Sequence, residues 1–407
     1  MKKLFTWSAA VFAALLFAGC GGGSSPPAPA NVTVAVHDSS ALVSWTVQSG
    51  IEYWVWFAGL PNITEQSCVS SLNCTITRGA TSPHLITGLV NGATYSVFVN
   101  GTNKGSPVGA SSPTIMFVPK VAGAAWSVGA PLGAADLLGV GFTPATATAG
   151  ATFVAVGAGG NIFSSADSLT WTARTSNVAT NLNAILYGHA TFVVVGDSGV
   201  ILTSPDAVTW TARASGTTNK LYALTTNGTV ITAVGANGTI LSSGDGLSWT
   251  PQTSGTTNNL FGVTFANALY VAVGAKGTLL TSANGANWQS VAAQTTLDLK
   301  SVAYGNGTFA AVGTAGTLVT STDGVTWSAR APIATNSLAA VIYGSQFVAV
   351  GSGGSIFTSL DGINWLPAVS GTASDLNAVV FSASIAANTL AVGYSVVGAA
   401  GVNLTSY

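Results

Sequence analysis

Short apolar runs of β-type residues, separated by turn-forming residues, make up most of this chain. Between residues 31 and 120 apolar and polar positions alternate with a period of two, which is the pattern of a half-buried β-strand. The runs are residues 32–36, 41–45, 53–57, 84–86, 95–99 and 115–118. Several short strands divided by turns within one segment predict a β-sandwich.

Residues 121–407 repeat two patterns at a nearly constant interval. The first is a β-rich run that ends in Val-Gly, and its glycines lie 39, 39, 39, 39, 38 and 42 residues apart. These glycines are Gly157, Gly196, Gly235, Gly274, Gly313, Gly351 and Gly393. The second pattern is Ser-x-Asp followed by Trp, with close copies ending at Trp210, Trp249, Trp327 and Trp365 and looser copies ending at Trp171 and Trp288. A period of about 40 residues with four β-rich runs in each repeat predicts a β-propeller.

The Ser-x-Asp pattern predicts a tight turn between two strands. Ser and Asp side chains accept hydrogen bonds from nearby backbone N–H groups, and the Gly that often follows adopts a positive φ at no steric cost. The Trp then supplies a large apolar anchor. Asp206, Asp245, Asp323 and Asp361 are therefore expected to hold turns rather than to bind a ligand.

The two ends of the repeat region indicate how many blades it forms. Trp126 precedes the first Val-Gly run, so the region begins with a lone outer strand, and after Gly393 the chain stops before a turn and a Trp. The first strand can therefore complete the last repeat. This predicts an all-β protein in which a sandwich is followed by a seven-bladed propeller, closed by pairing of its first and last strands so that no sheet edge stays open there.

One position in each repeat varies far more than its neighbours, at the mouth of the predicted central channel. It is the second residue of each inner strand: Leu138, Asn183, Tyr222, Phe261, Lys300, Ala339 and Asn377. Polar and aromatic groups that converge on a concave surface are typical of a ligand site. The candidate binding residues are therefore Asn183, Tyr222, Phe261, Lys300 and Asn377, with Tyr394 from a predicted long loop at 394–401. Drift without selection is the alternative explanation. Two more long loops, 143–151 and 382–388, are expected on the opposite face.

Both regions resemble known families. In residues 31–120, Trp45, the placement of Leu89 six residues before Tyr95, and the run 97–105 resemble a fibronectin type III domain. This resemblance implies a spacer or interaction module. The repeats of residues 121–407 resemble Asp-box (BNR-type) propellers, which include sialidases and photosystem II assembly factors, although most turns here are one residue shorter than the usual Asp-box.

The N-terminal residues predict export. Two lysines, an apolar run at 4–17 and small residues before Cys20 are typical of a secretory signal, because the run is too short to span a bilayer. The small residues and Cys20 resemble the bacterial lipoprotein box, which implies lipidation at Cys20 and a Gram-negative outer membrane. An ordinary signal peptide with an incidental Cys is the alternative. The predicted divisions are a signal peptide at 1–19, a lipidated Cys with a Gly/Ser/Pro linker at 20–30, a fibronectin-like domain at 31–120 and a propeller at 121–407.

Charge and cysteine content narrow the possible functions. The net charge is −1 and 6% of the residues are charged, so the chain lacks the basic footprint of a nucleic-acid-binding protein. In an oxidising compartment Cys68 and Cys74 are expected to form a disulfide, and two thiols fall short of the four ligands of a zinc site. No metal or cofactor is expected, and the chain is expected to be a monomer.

Catalysis is not expected in the repeat region. The region contains no Glu, and a sialidase requires an arginine cluster, whereas Arg174, Arg213 and Arg330 fall at equivalent positions of separate outer strands. His189 lies in a predicted loop on the face away from the channel mouth, so Ser-His-Asp chemistry lacks a base there. The sequence predicts a non-catalytic, surface-tethered binding or scaffolding lipoprotein that recognises a protein segment or a glycan. The alternatives are a degenerate carbohydrate-active enzyme and a purely structural envelope protein.

Overall fold

The computed structural model describes residues 25–71, 74–103, 108–144, 151–386 and 389–406. These residues are nearly all β and form nine small antiparallel sheets. The chain divides into two compact units, Met1–Val121 and Ala122–Tyr407. The predicted signal peptide and Cys20 lie outside the described residues. No helix in the described part of the chain is both long enough and apolar enough to cross a bilayer.

The first unit contains two sheets that share a core. One sheet has three strands in the order β1 (Thr33–His37), β2 (Ser40–Ser44) and β5 (His84–Thr87). The other has four, in the order β4 (Thr75–Ala80), β3 (Ile51–Ala58), β6 (Tyr95–Asn103) and β7 (Ile115–Phe117). Because successive side chains of a strand point to opposite faces, Val43 and Ile86 of the first sheet meet Val55, Val97 and Val99 of the second in one buried cluster.

A short helix packs on the other face of the four-stranded sheet. Helix α1 (Glu65–Ser71) carries Cys68, which forms a disulfide with Cys74 just before β4. Cys68 belongs to a second buried cluster with Trp56 and Phe98, whose rings stack with their centroids 5.5 Å apart. Trp56 is 1% exposed, so the four-stranded sheet buries large side chains on both of its faces.

Within the described residues, the second unit contains seven four-stranded sheets. Their strands are β9 (Leu137–Thr143), β10 (Thr152–Gly157), β11 (Ile162–Ser165) and β12 (Thr172–Arg174) in sheet 1; β13 (Leu182–Gly188), β14 (Thr191–Gly196), β15 (Ile201–Ser204) and β16 (Thr211–Arg213) in sheet 2; β17 (Leu221–Thr226), β18 (Ile231–Gly235), β19 (Ile240–Ser243) and β20 (Thr250–Gln252) in sheet 3; β21 (Leu260–Ala266), β22 (Leu269–Gly274), β23 (Leu279–Ser282) and β24 (Gln289–Ser290) in sheet 4; β25 (Leu299–Gly305), β26 (Thr308–Gly313), β27 (Leu318–Ser321) and β28 (Ser328–Ala329) in sheet 5; β29 (Leu338–Tyr343), β30 (Phe347–Gly351), β31 (Ser355–Ser359) and β32 (Leu366–Ala368) in sheet 6; and β33 (Leu376–Ala386), β34 (Thr389–Gly398), β35 (Asn403–Ser406) and β8 (Ser127–Val128) in sheet 7.

The first strands of the seven sheets, called the inner strands, follow one another around a closed ring. Each inner strand contacts the inner strand of the next sheet, and β33 of sheet 7 contacts β9 of sheet 1. Sheet 7 takes its fourth strand from the start of the unit, because β8 pairs with β35 with Ser127 opposite Thr405. The Gly123 N–H also donates to Ser406 Oγ at 2.8 Å. The two ends of the second unit are therefore hydrogen-bonded within one sheet.

Sheet 7 departs from the sequence expectation. The Val-Gly that ends β34 falls at Gly398 rather than at Gly393, and the turn that follows is Ala399–Gly401. The predicted long loop at 394–401 is therefore wrong, since Tyr394 lies within β34 and is 0% exposed. The predicted loop at 382–388 is wrong as well, because β33 continues to residue 386. Of the other predicted loop, residues 145–150 lie outside the described part of the chain.

A buried side chain explains the register of sheet 7. In each sheet a large apolar residue stands four positions before the glycine that ends the second strand: Phe153, Phe192, Ile231, Tyr270, Phe309, Phe347 and Tyr394. Counting back from Gly393 would place Thr389 there, whereas counting back from Gly398 places Tyr394. The Tyr394 ring packs against Phe381 at 4.9 Å between centroids. Burial of such a ring contributes about 2 kcal/mol, which favours the longer hairpin.

Candidate functional site

The Ser-x-Asp turns join the third and fourth strands at one end of the sheets, which we call the lower face. In sheet 6, Asp361 Oδ1 accepts hydrogen bonds from the N–H groups of Ile363 and Asn364, both at 2.8 Å, and from Ser359 Oγ at 3.0 Å. The N–H of Asn364 is the main cause that holds the pKa of the Asp361 carboxyl below its ordinary range. The equivalent acceptors are Asp167, Asp206, Asp245, Asn284 and Asp323. These side chains are engaged within their own turns.

At the opposite end, the upper face, the second and third strands are joined by 3₁₀ turns such as Ala275–Gly277. Six of the seven turns donate a backbone N–H to the side chain that precedes the next inner strand, as when the Lys276 N–H donates to Asp298 Oδ1 at 3.0 Å. Six junctions share this bond, and the acceptor residues are Asp136, Asn181, Asn259, Asp298, Ser337 and Asp375. Between sheets 2 and 3 the position is Lys220, whose ammonium instead binds Asp197 Oδ1 at 2.9 Å.

Every inner strand has a β-bulge at its second residue. In sheet 3, for example, Leu221 pairs with Gly235 and Ala223 pairs with Val234, so Tyr222 has no partner in the ladder. The residues skipped in this way are Leu138, Asn183, Tyr222, Phe261, Lys300, Ala339 and Asn377. A bulge redirects the side chain that it carries. The positions that vary most in the sequence are thus the bulge residues of the inner strands.

Four of the predicted residues, Asn183, Tyr222, Phe261 and Lys300, lie in one continuous row across sheets 2 to 5. The Tyr222 and Phe261 rings meet edge to face, with centroids 5.3 Å apart. The Lys300 ammonium lies 3.7 Å from the Phe261 ring centroid, a cation–π contact. Lys220, which is not one of the four, also approaches the pair: its ammonium lies 5.3 Å from the Tyr222 ring centroid. All four predicted residues are half-buried.

An aspartate holds each of the two lysines that flank the Tyr222–Phe261 pair. Asp298 Oδ2 lies 3.0 Å from Lys300 Nζ. The pKa of Asp298 is lowered mainly by the hydrogen bond from the Lys276 N–H, and Lys300 lowers it further. Partial burial acts in the opposite direction but is outweighed. Partial burial acts to raise the pKa of Asp197, but hydrogen bonds from Asn183 and Lys220 outweigh it and the pKa is lowered. Both aspartates are therefore charged at neutral pH and fix the lysines against the rings.

The other two candidate residues are not part of the row. Asn377 Nδ2 donates to the Leu137 carbonyl at 2.8 Å and so joins sheet 7 to sheet 1, away from the aromatic pair. Tyr394 is buried, and its hydroxyl donates to the Gln346 carbonyl. The prediction that Tyr394 belongs to a ligand site is therefore wrong, because its ring is the core side chain of β34.

Sequence reasoning missed Lys220, which contacts the row at Tyr222. Lys220 precedes an inner strand in a loop rich in Thr and Asn, and nothing in the repeat pattern connects it with Asp197. A usable signal was present, since the equivalent position is Asp, Asn or Ser in the six other sheets. A lysine in that place departs from a structural rule that the rest of the unit obeys.

Charge divides the two faces of the second unit. Arg213 ends an outer strand on the upper face, where it lines a shallow groove with Ser198 and Asn219. The repeat puts Arg174 and Arg330 at the same level, so the upper face carries six cations and four aspartates: Lys220, Lys276, Lys300, Arg174, Arg213, Arg330, Asp136, Asp197, Asp298 and Asp375. The described lower face carries the five turn aspartates and no Lys or Arg.

His189, the one histidine of the second unit, is exposed in the turn between β13 and β14 on the lower face. In the described part of the chain, no three His, Cys, Asp or Glu side chains come together as a metal ion would require.

Four-stranded antiparallel sheets arranged with their inner strands in a ring define a β-propeller. Solved propellers match this chain. A YCF48 structure, solved with a D1 peptide, has a TM-score of 0.56 and 16% identity over 69% of this chain and 94% of that chain. YCF48 from Cyanidioschyzon merolae has a TM-score of 0.55 and 19% sequence identity, over 70% of this chain and 99% of that chain. The WD40 propeller domain of Doa1 has a TM-score of 0.57 and 13% sequence identity, over 70% of this chain and 97% of that chain. At these identities the likeness is one of fold.

No protein-family model and no curated protein matches the sequence.

Proposed function

We propose that this chain is a non-catalytic binding or scaffolding protein whose propeller recognises a segment of a partner protein on its upper face. The observation that carries the proposal is the row of Asn183, Tyr222, Phe261 and Lys300. Bulge residues from consecutive inner strands converge there, while the leucine that precedes each of them, Leu182, Leu221, Leu260 or Leu299, is fully buried. A few polar groups around an aromatic centre suit a recognition site.

Contacts within the row favour a protein partner over a glycan. Sugar recognition by stacking needs an open aromatic face, but the Lys300 ammonium already lies over Phe261 at 3.7 Å and Tyr222 contacts that ring with its edge. Tyr394, which a glycan site would also have used, is buried. The D1 peptide bound to the YCF48 propeller supports the same choice by analogy of fold.

A binding role also suits the state of the carboxylates. The propeller unit contains no Glu, and Asp197 and Asp298 each hold a lysine at about the distance of a hydrogen bond. The turn aspartates are occupied by backbone N–H groups on the lower face. A degenerate carbohydrate-active enzyme would need a carboxylate pair flanking a substrate, so we rank it behind the binding role. A purely structural envelope protein is the remaining alternative.

We infer a finer architecture of a fibronectin type III domain followed by a seven-bladed propeller. The seven four-stranded sheets and the β8–β35 pairing support the blade count. The hydrogen bond from the Val90 N–H to the Tyr95 hydroxyl, at 3.0 Å, supports the fibronectin assignment, because a tyrosine corner of this kind closes such sandwiches.

We further propose that the protein is exported and tethered by lipid at Cys20 to the outer membrane, as a monomer. The signal-like residues 1–19 and the small residues before Cys20 support this location. The disulfide of the first unit fits an oxidising compartment.

The binding role is tested by capture of envelope proteins and displayed peptides on residues 25–407, compared with a Tyr222→Ala/Phe261→Ala variant of the same chain. Loss of capture with unchanged thermal unfolding is the expected result. Equal capture by both proteins would rule out the row as the site. Capture of glycans alone would favour the carbohydrate alternative, and no capture of any kind would favour the structural one.

A further inference from the structure

The charges around the row indicate which kind of protein segment it fits. We propose that the row binds an extended acidic segment, with carboxylates at the Lys220 and Lys300 ammonium groups and an apolar side chain between them at the Tyr222–Phe261 pair. This inference rests on the binding role proposed above for the row.

The two ammonium groups are already positioned. Lys300 Nζ donates to Asp298 Oδ2 at 3.0 Å and covers Phe261, while Lys220 Nζ donates to Asp197 Oδ1 at 2.9 Å beside Tyr222. An ammonium group has three donors, so each lysine keeps N–H groups for a ligand. The lysine side chains are 32% and 36% exposed. Binding therefore requires little further ordering of long side chains, which is a main cost of association.

The faces of the propeller unit favour an acidic partner on one side only. The upper face has more cations than aspartates, whereas the described lower face has five aspartates and no Lys or Arg. The turn hydrogen bonds lower the pKa of these lower-face aspartates, such as Asp206, so that they are charged at neutral pH. An acidic segment is therefore attracted to the upper face and repelled from the lower one.

The upper face is itself polarised. All three lysines of the unit, Lys220, Lys276 and Lys300, belong to sheets 3 to 5 or the loops that enter them. On the opposite side of the ring, Asp136 and Asp375 accept backbone N–H groups from neighbouring turns and have no lysine beside them in the described residues. An acidic segment is therefore expected to lie over sheets 3 to 5, and any basic residue that it carries would point toward sheets 7 and 1.

The probe is a displayed library of random dodecapeptides, selected on residues 25–407. We expect selected peptides to carry two or more Asp or Glu residues around an apolar one. A synthetic copy of the selected peptide should bind, and a copy with every carboxylate replaced by its amide should bind about tenfold more weakly or worse, as loss of charge-assisted hydrogen bonds implies. Copies with a free and an amidated C-terminus distinguish side-chain carboxylates from a terminal carboxylate.

Protein variants locate the contact. Lys220→Met and Lys300→Met remove one charge each but keep the aliphatic stem, and each should weaken binding about tenfold. Lys120→Met removes the same charge from an exposed position in the first unit and should change nothing. Lys300→Arg keeps the charge and should retain most of the affinity. Added salt should weaken binding by the parent chain more than by the Met variants.

The outcomes separate the two proposals. Peptides without an acidic excess, or Met variants that bind like Lys120→Met, would overturn the acidic-segment inference while leaving the binding role intact, provided that Tyr222→Ala/Phe261→Ala abolishes binding. A library that yields no binder, or a double variant that binds normally, would refute both proposals together.

Discussion

Asp361→Ala is expected to lower the free energy of unfolding of the second unit by about 1–2 kcal/mol, the usual cost of losing a side chain that caps backbone N–H groups. The substitution removes the acceptor for the N–H groups of Ile363 and Asn364 and for Ser359 Oγ. Both N–H groups lie in an exposed turn, where water can bind them when the carboxylate is gone. The stability lost with each hydrogen bond is therefore near the low end of the usual contribution of a hydrogen bond. For a unit of this size, each 1 kcal/mol corresponds to about 2–4 °C in Tm.

Asp361→Asn is the matched control. Asn284 holds the equivalent turn of sheet 4, where its Oδ1 accepts the N–H groups of Ala286 and Asn287 at 3.0 and 2.9 Å. An amide oxygen can therefore do most of what the carboxylate does, and the Asn variant should lose less than half as much stability as the Ala variant. Urea unfolding at pH 7 measures both losses, with the m-value unchanged if only stability has changed.

The pH dependence follows from the sign of the pKa shift. The pKa of Asp361 is lower in the folded chain than in the unfolded chain, so the carboxylate contributes stability above the unfolded pKa of about 4 and loses that contribution as the pH falls toward the folded value. The difference between the parent chain and Asp361→Asn should be greatest near pH 7 and shrink below about pH 4. An Asn variant as damaged as the Ala variant at pH 7, or a difference that persists in acid, would refute the reasoning.

Three further predictions concern the core, a turn and the N-terminus. Tyr394→Phe removes a buried hydroxyl that bonds both the carbonyl and the N–H of Gln346, and should cost about 1–3 kcal/mol in urea unfolding; an unchanged midpoint would contradict the register of sheet 7. Gly238→Ala should be far more damaging to Tm than Gly255→Ala, because both glycines have positive φ but only at Gly238 would the Cβ meet a backbone oxygen, at 1.9 Å; equal losses would contradict this packing. Cys20→Ser should abolish incorporation of labelled palmitate and release the protein from the membrane fraction, and continued labelling would disprove lipidation at that residue.

The repeat architecture was predictable because each sheet needs the same few residues for steric reasons. Gly235 shows why: its φ of −161° is ordinary extended backbone, but a Cβ there would lie 2.3 Å from the Lys220 carbonyl oxygen. The glycine is required by close approach of the preceding loop, and the same requirement recurs in every sheet. Because every sheet has this steric requirement, glycine recurs at a fixed interval in the sequence. The interval therefore predicts the propeller without any information on long-range contacts.

Sheet 7 shows where such pattern reasoning fails. The sequence contains two Val-Gly runs there, ending at Gly393 and Gly398, and the regular spacing favoured the first. The structure uses the second, because that register buries Tyr394 where the other sheets bury a large apolar side chain. Which of the two registers forms depends on the tertiary packing of Tyr394, and the spacing of the glycines contains no information on that packing.

The row on the upper face was predicted only in part, for a related reason. Tyr222, Phe261 and Lys300 could be found because a bulge residue lies outside the ladder and is free to vary, while the leucine before it is fixed by burial. Which of these side chains touch each other, and that Lys220 and Asp197 join them, depends on how consecutive sheets are placed around the ring. That placement is a property of the folded unit and has no signature in any single repeat.

Lys220 also supports a functional reading of the row. At six junctions the side chain before the inner strand binds the preceding turn, and that bond helps to fasten one sheet to the next. Lys220 cannot accept such a bond; its ammonium instead binds Asp197 in the turn of sheet 2, so an ion pair replaces the usual hydrogen bond between sheets 2 and 3 and places a cation beside Tyr222. A local departure from a rule that the rest of the fold obeys is typical of functional positions. This exception lies beside Tyr222, where the Lys220 ammonium is already positioned to bind a carboxylate of a ligand.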